Sequence, residues 1–337
     1  MKKICIILFL LITFFTSRIY AEDINSRAVV LLDSTSNKIL YAKNPHLRLP
    51  PASTAKLVSA MVVIDKMNLN SVVTISRKAA TTQSVAPRLI PGEKYTVRDL
   101  LHLSLMRSVN GAAVALAEAA AGSEDSFVDM MNAKVHALGL QNTRFINSSG
   151  LPGNGQYITA YDLSLVMKAS LDYHAIKEII NTRTKDIFNV NGRQIFLKNT
   201  NHLLWKEDDV IGGKTGYTRA AGHCFVCAVD KDDTTLIVAI LGEAVREELW
   251  QNTFALFSKG QDILSLKAEP VIYFSDIKRK PIVPASYKQK EGAPAKKKAN
   301  IKAKNKAKKP EKKGVKSSKK KNVKTQKQVK NKNLTAR

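Results

Sequence analysis

Ala221-Gly222-His223-Cys224-Phe225-Val226-Cys227-Ala228-Val229 and Thr234-Thr235-Leu236-Ile237-Val238-Ala239-Ile240-Leu241-Gly242 are strand-length apolar runs, and Asp230-Lys231-Asp232-Asp233 between them reads as the turn of a hairpin. Side chains three apart on a strand point to opposite faces, so Cys224 and Cys227 read as core thiols and not as a C-x-x-C redox pair. A second hairpin signal lies at the other end of the body, where residues 27–33 and 38–42 flank Ser34-Thr35-Ser36-Asn37. Between these strands the pattern is helical. Residues 52–67 are apolar and follow Pro50-Pro51. Residues 96–106 open with the capping box Thr96-Val97-Arg98-Asp99, and Asn110–Ala121 is Ala-rich and stopped by Gly122. Residues 126–138 end at Gly139, Thr159-Ala160-Tyr161-Asp162 opens a helix to about 171, and a last helix covers about 246–257. Strands at both ends with helices between them predict an α/β (α+β) domain. Its antiparallel sheet pairs first and last strands, is flanked by helices and carries an inserted helical subdomain.

The 337 residues carry 54 Lys and Arg against 28 Asp and Glu, a net charge of +26. Residues 288–337 alone hold 21 of the basic residues and two acids, a net of +19, whereas 22–287 carry only +4. The charge therefore belongs to a tail, which excludes a basic nucleic-acid-binding domain as the reading of the whole chain. That tail has no aromatic residue and few apolar ones. It is predicted to be disordered, because it cannot bury enough surface to offset chain entropy. At the other terminus, Met1-Lys2-Lys3, an apolar run over 4–15 and Ala21 read as a secretory signal peptide. An uncleaved anchor is the alternative, and both readings export the body to the periplasm or another extracytoplasmic space. The expected organisation is a signal peptide at 1–21, a catalytic domain at 22–262, a linker or vestigial β segment at 263–287 with a strand candidate at 270–274, and the tail at 288–337. No Gly-rich phosphate loop and no H-E-x-x-H spacing occur, so neither cofactor nor metal is expected.

Three short motifs bear the chemistry. Ser53-Thr54-Ala55-Lys56 starts a helix, and its i, i+3 spacing puts hydroxyl and amine on one face. Serine needs an adjacent base to act as a nucleophile, and lysine serves as that base only when burial or a second cation lowers its pKa. Ser108-Val109-Asn110 stands between two helices, where Ser or Asn is usually a cap. Lys214-Thr215-Gly216, inside Ile211-Gly212-Gly213-Lys214-Thr215-Gly216-Tyr217-Thr218, precedes the hairpin quoted above. A cation and a hydroxyl on an edge strand suit a carboxylate. Each motif alone has a structural reading as a solvated lysine, a cap or a Gly-rich turn.

Together, in the order S-x-x-K, S-x-N, K-T-G on an exported chain, they are the set shared by penicillin-binding proteins and class A β-lactamases. The body over about 25–260 resembles the low-molecular-mass penicillin-binding proteins that are D-alanyl-D-alanine carboxypeptidases. The likeness extends to Pro51-Ala52-Ser53, the loop from Gly150 to Tyr157, Thr159-Ala160-Tyr161-Asp162, Asn201-His202-Leu203-Leu204-Trp205 and Ala221-Gly222. The resemblance implies a β-lactamase/transpeptidase-like fold. It implies Ser53 as nucleophile on peptidoglycan stem peptides, Lys56 as its base and Ser108 as a proton relay. It further implies that Asn110 orients Lys56 and the substrate, and that Lys214 and Thr215 hold the terminal carboxylate. Backbone N–H groups of Ser53 and Tyr217, beside Gly216, would form the oxyanion hole, and β-lactams would be covalent inhibitors. Arg246 stands where the family often has an arginine near the carboxylate, and reads equally as a solvated first-turn residue.

Two departures accompany the likeness: little chain remains for a second β-rich domain, and the tail lacks the apolar face of a membrane-lying helix. A β-lactamase needs a deacylating glutamate in the loop before the last motif, and 137–177 contain none. A D,D-endopeptidase would use the same residues on another amide. A non-catalytic wall-binding module would leave the tail as the working part. The tail itself reads either as a solvated extension or as a tether to anionic envelope polymers or lipid head groups. Nucleic acid is not an expected partner of an exported chain.

Overall fold

The computed structural model describes residues 24–231 and 234–275. The expected signal peptide and Lys-rich tail lie outside these residues, as do Asp232 and Asp233 at the hairpin tip. The quoted hairpin is β8 (Gly222–Lys231) and β9 (Thr234–Glu243); the N-terminal one is β1 (Ala28–Asp33) and β2 (Lys38–Lys43). β1 pairs antiparallel with both β2 and β9, so the first and last hairpins merge into one sheet. Its order is β10-β2-β1-β9-β8-β7, with β7 (Val210–Thr218) at one edge and β10 (Val271–Tyr273) at the other. Only β10 runs parallel to its neighbour.

The sheet is buried on both faces, and this explains the continuous apolar runs of its central strands. Along β1, Ala28, Val30 and Leu32 join the core under the inserted helices, while Val29 and Leu31 join a smaller core under the C-terminal helix. The same alternation puts Cys224 in the first core and Cys227 in the second, as the spacing requires. Both are free thiols.

Between the hairpins lie a 3-10 turn at Ala52–Ala55, then α1 (Lys56–Lys66), β3 (Val72–Thr74), α2 (Arg77–Thr81), β4 (Lys94–Thr96), α3 (Val97–Met106) and α4 (Asn110–Ala121). They are followed by α5 (Glu124–Ala137), α6 (Ala160–Leu171), α7 (His174–Asn181), β5 (Thr184–Phe188), β6 (Gln194–Lys198), a 3-10 turn at His202–Trp205, and after the sheet strands α8 (Arg246–Leu264). Thr96 and Thr159 cap α3 and α6 as their capping boxes predict, accepting from Asp99 N and Asp162 N. Gly122 ends α4 in the left-handed conformation. The helix expected from residue 126 begins two residues earlier, because the Ser123 side chain accepts from Ser126 N and is its cap. The helix expected at 52–67 is a 3-10 turn leading into α1.

The largest difference is α8, which runs to Leu264 instead of ending near Phe257. It continues through Gly260, where a glycine is required by packing and not by termination. A Cβ there would lie 2.8 Å from Leu236 Cδ1 and 3.1 Å from Leu31 Cδ2, both fully buried. Gly260→Val should therefore overpack this contact and destabilise the protein by roughly 1–3 kcal/mol. Urea denaturation measures this, and an unchanged midpoint would show that helix and sheet are not in close contact at Gly260.

Candidate active site

Two backbone conformations set the site. Ala52, just before Ser53, has φ +48°, and Ser108 has φ +63°, both in the left-handed region that non-glycine residues seldom occupy. Such strain persists only where surrounding structure holds it. Ser53 thereby sits on the tight 3-10 turn, and β7 presses against that turn. A Cβ on Gly216 would lie 2.8 Å from Ser53 N and 3.0 Å from Ala52 Cβ. From the other side, a Cβ on Gly150 would lie 1.7 Å from Ala52 O. Only glycine admits this double approach, so the turn is wedged between the edge strand and the loop from Asn147.

Lys56, at the first position of α1, is fully buried. Its Nζ lies 2.8 Å from Ser53 Oγ, 2.7 Å from Asn110 Oδ1 and 2.6 Å from the Ser149 carbonyl. Asn110 is itself oriented, since its Nδ2 donates to Gln83 O at 2.7 Å and its backbone N to Ser84 Oγ at 2.8 Å. A carbonyl can only accept, so Nδ2 must face Gln83 and Oδ1 must face Lys56. Neither Ser108 nor Asn110 caps α4, whose N-cap is Val109 without a side-chain bond. Ser108 Oγ accepts from Lys214 Nζ at 3.0 Å instead.

Lys214 is also fully buried, and Nζ donates to Thr215 O at 2.7 Å. Thr215 Oγ1 is 2.7 Å from Thr200 Oγ1. Neither lysine is a solvated surface group. Burial pushes the Lys214 amine down to about 7, and burial together with the Lys214 charge holds Lys56 well below the usual lysine range. A neutral amine has two N–H groups and one lone pair. In its neutral form Lys56, with its two N–H groups taken by Asn110 Oδ1 and Ser149 O, turns its lone pair to the Ser53 hydroxyl.

These groups floor a cavity of about 360 Å³ lined by Ser53, Ser108, Asn110, Thr215, Gly216 and Tyr217. Arg107, Thr200, His223, Arg246 and Trp250 line it as well. Arg246 therefore faces the cleft, with one guanidinium N 3.5 Å from His202 Nε2, whose ring stacks on Trp250 at 5.0 Å. The Tyr217 ring lies 4.5 Å from that of His223. A larger groove of about 540 Å³ between α7 and Asp208–Ile211 contains none of the motif residues. All nine residues singled out from sequence thus meet in or under one cleft. The Ser149 carbonyl, Thr200 and His223 were not singled out: the first is main chain, and the others belong to no catalytic motif. The glycine after Ser149 was the available signal, marking a close backbone approach.

The D-alanyl-D-alanine carboxypeptidase family matches this sequence over residues 16–245. The chain belongs to that family. A D-alanyl-D-alanine carboxypeptidase of Bacillus subtilis is 34% identical over 228 residues, 66% of this chain and 59% of the relative's length. A D-alanyl-D-alanine endopeptidase of Pseudomonas aeruginosa is 35% identical over 64% of this chain and 72% of its own. The crystal structure of a D-alanyl-D-alanine carboxypeptidase from Mycobacterium tuberculosis superposes with a TM-score of 0.66 at 32% identity, covering 70% of this chain and 90% of that one. The penicillin-binding, transpeptidase-like fold expected from the motifs is the fold observed.

A buried lysine has a definite signature in stability. The unfolded chain keeps the Lys214 proton up to the ordinary value near 10.5, whereas the folded protein loses it near 7. Between these limits the unfolded state binds more protons, so this group's contribution to stability rises with pH, and below about 7 its full cost is present. Lys214→Met should therefore stabilise the protein by roughly 1–4 kcal/mol at about pH 6, with the gain fading towards about pH 10. Chemical denaturation at the two pH values measures it; an equal difference at both would mean that the amine titrates normally.

Proposed function

We propose that the protein is a serine-type D-alanyl-D-alanine carboxypeptidase that removes the terminal D-alanine from peptidoglycan stem pentapeptides. The observation that carries this reading is the contact of Ser53 Oγ with the fully buried Lys56, beside a second buried lysine bonded to Ser108. Lys56 takes the Ser53 proton as Oγ bonds to the carbonyl carbon between the two D-alanines. The resulting oxyanion is held by the backbone N–H groups of Ser53 and Tyr217, each donor worth about 3–4 kcal/mol in comparable sites. The C–N bond then breaks, and the departing amine takes a proton relayed by Ser108. Water next attacks the ester carbon, the C–Oγ bond breaks, and Ser53 regains its proton. Lys214, Thr215 and Arg246 bind the substrate carboxylate, whose negative charge raises the Lys214 pKa again and keeps it an ammonium while substrate is bound.

Both lysines lose a proton as pH rises, with opposite consequences. Deprotonation of Lys56 switches the base on, and deprotonation of Lys214 removes the carboxylate anchor. The second-order rate constant for acylation by a labelled penicillin should thus fall above about 7, where Lys214 of the free enzyme loses its proton. Free D-alanine should appear from muropeptide pentapeptide with the wild type and be lost in Ser53→Ala. Lys56→Arg should also be inactive, because a guanidinium does not deprotonate. Label retained by Ser53→Ala, or near-normal acylation of Lys56→Arg, would reassign the nucleophile or the base. Cleavage of a cross-linked dimer without D-alanine release would identify an endopeptidase instead.

The sequence of residues 1–21 supports export, and that of 288–337 supports tethering to anionic envelope polymers or lipid head groups. Each basic residue near such a surface contributes about 1 kcal/mol at most, and charge alone is screened over about 8 Å at physiological salt. The protein should leave isolated envelopes in high salt without detergent. A chain ending at Tyr287 should not bind them yet should still cleave soluble pentapeptide. Equal envelope binding by the shortened chain would rule out the tail as tether.

A further inference from the structure

The Ser149 carbonyl supplies one of the two acceptors that orient Lys56, yet it stands on a loop and has to be held in place. The residue before it is clamped on both sides. Ser148 N and Oγ donate to Glu124 Oε1 at 3.1 and 2.7 Å, and the Ser148 carbonyl accepts from Ser59 Oγ at 2.6 Å. Ser149 N donates to Asn147 Oδ1 at 3.2 Å. Ser148 and Ser149 are essentially inaccessible to solvent. Glu124, the first residue of α5, has a side chain only 12% exposed, and its Oε2 lies 3.0 Å from Lys78 Nζ. The Ser148 hydrogen bonds and the Lys78 charge outweigh burial and hold its carboxyl below the usual range, so it is an anion with full acceptor capacity.

We propose that Glu124 is a positioning residue for acylation: through the Ser148 amide and hydroxyl it holds the Ser149 carbonyl against Lys56, and so fixes the lone pair of Nζ on Ser53 Oγ. This rests on Lys56 being the base. Without Glu124 the turn loses two of its anchors, the carbonyl drifts, and the amine is free to rotate its lone pair away from the hydroxyl. Misplacement of a reacting group by about 1 Å costs on the order of 100-fold in rate. Substrate binding, which uses Thr215 and Arg246 in the cleft lining, is untouched, since Glu124 and Ser148 are not part of that lining. A tie between α5 and the loop that served stability alone would predict something different: a lower denaturation midpoint with no selective effect on the chemical step.

The test uses the full chain and a labelled penicillin, with the acylation rate constant and the half-saturating concentration measured separately. Glu124→Ala should lower the limiting rate constant by roughly 10–100-fold and leave half-saturation unchanged. Glu124→Gln should recover most of the rate, because its amide oxygen still accepts from Ser148. Lys78→Ala, which breaks the ion pair but not the Ser148 bonds, should acylate within about threefold of the wild type. Ser148→Ala removes the hydroxyl anchor with little change in shape. It should lose rate to an intermediate extent, and it decides the matter if Glu124→Ala does not fold. Wild-type rate constants in Glu124→Ala or Ser148→Ala, a Gln variant as slow as Ala, or a loss confined to half-saturation would each overturn the proposal. A wild type that no penicillin acylates would overturn the acyl-enzyme reading together with it.

Discussion

Two amines share one site in which neither is accessible to solvent, and every partner assigned to them is neutral: the Ser53 and Ser108 hydroxyls, the Asn110 amide and the carbonyls of Ser149 and Thr215. With no carboxylate among those partners, the charge that one lysine would carry in water is opposed by its own desolvation and by its neighbour. A buried pair of this kind is tolerable only if most of the charge is given up, and a lysine that has given up its proton is a base. The requirement reaches well beyond the cleft. It fixes which atoms may surround Nζ, why Asn110 must be oriented by Gln83, and why main-chain oxygens take a place that acids hold around most lysines.

The architecture meets that requirement by bringing three separate stretches of chain together. One lysine comes from the first turn of α1 and the other from the edge strand β7, and the helix pair α3–α4 delivers Ser108 and Asn110 to the space between them. The sheet and the helical layer meet there through glycine backbone, with Gly216 against Ser53 and Gly150 against Ala52. Close main-chain contact leaves little slack, which suits a site whose function depends on the direction of a single lone pair.

Much of this was legible in sequence because the relevant signals are local. Capping boxes at Thr96 and Thr159, the glycine stop at Gly122 and the alternating faces of β8 are properties of a few adjacent residues, and they hold in the fold. The motif serines, lysines and asparagine could be recognised as a set by their order. What was not legible depends on contacts between distant residues. Gly260 sits inside a helix because Leu31 and Leu236 lie beneath it, and nothing around residue 260 reveals that. The hairpin of β5 and β6 escaped notice because much of it faces solvent; Phe188 and Phe196 are exposed where a buried strand would hide them. The Ser149 carbonyl belongs to every residue type alike, so no side-chain pattern could have singled it out.

The opposite-facing thiols of β8 have a practical meaning as well. Cys224 and Cys227 lie on the two sides of a sheet that separates them, each fully buried, and burial makes the thiolate unfavourable, to the extent that Cys224 is pushed up to about 12. Burial moves Cys227 the same way. Thiol exchange proceeds through the accessible thiolate, so neither side chain offers an oxidant or an alkylating reagent a foothold while the sheet is intact. A cysteine placed on the outer surface of the body would therefore react in preference to both. A fluorophore or spin label could then be attached at a chosen point beside the cleft with the two native cysteines of the sheet left in place.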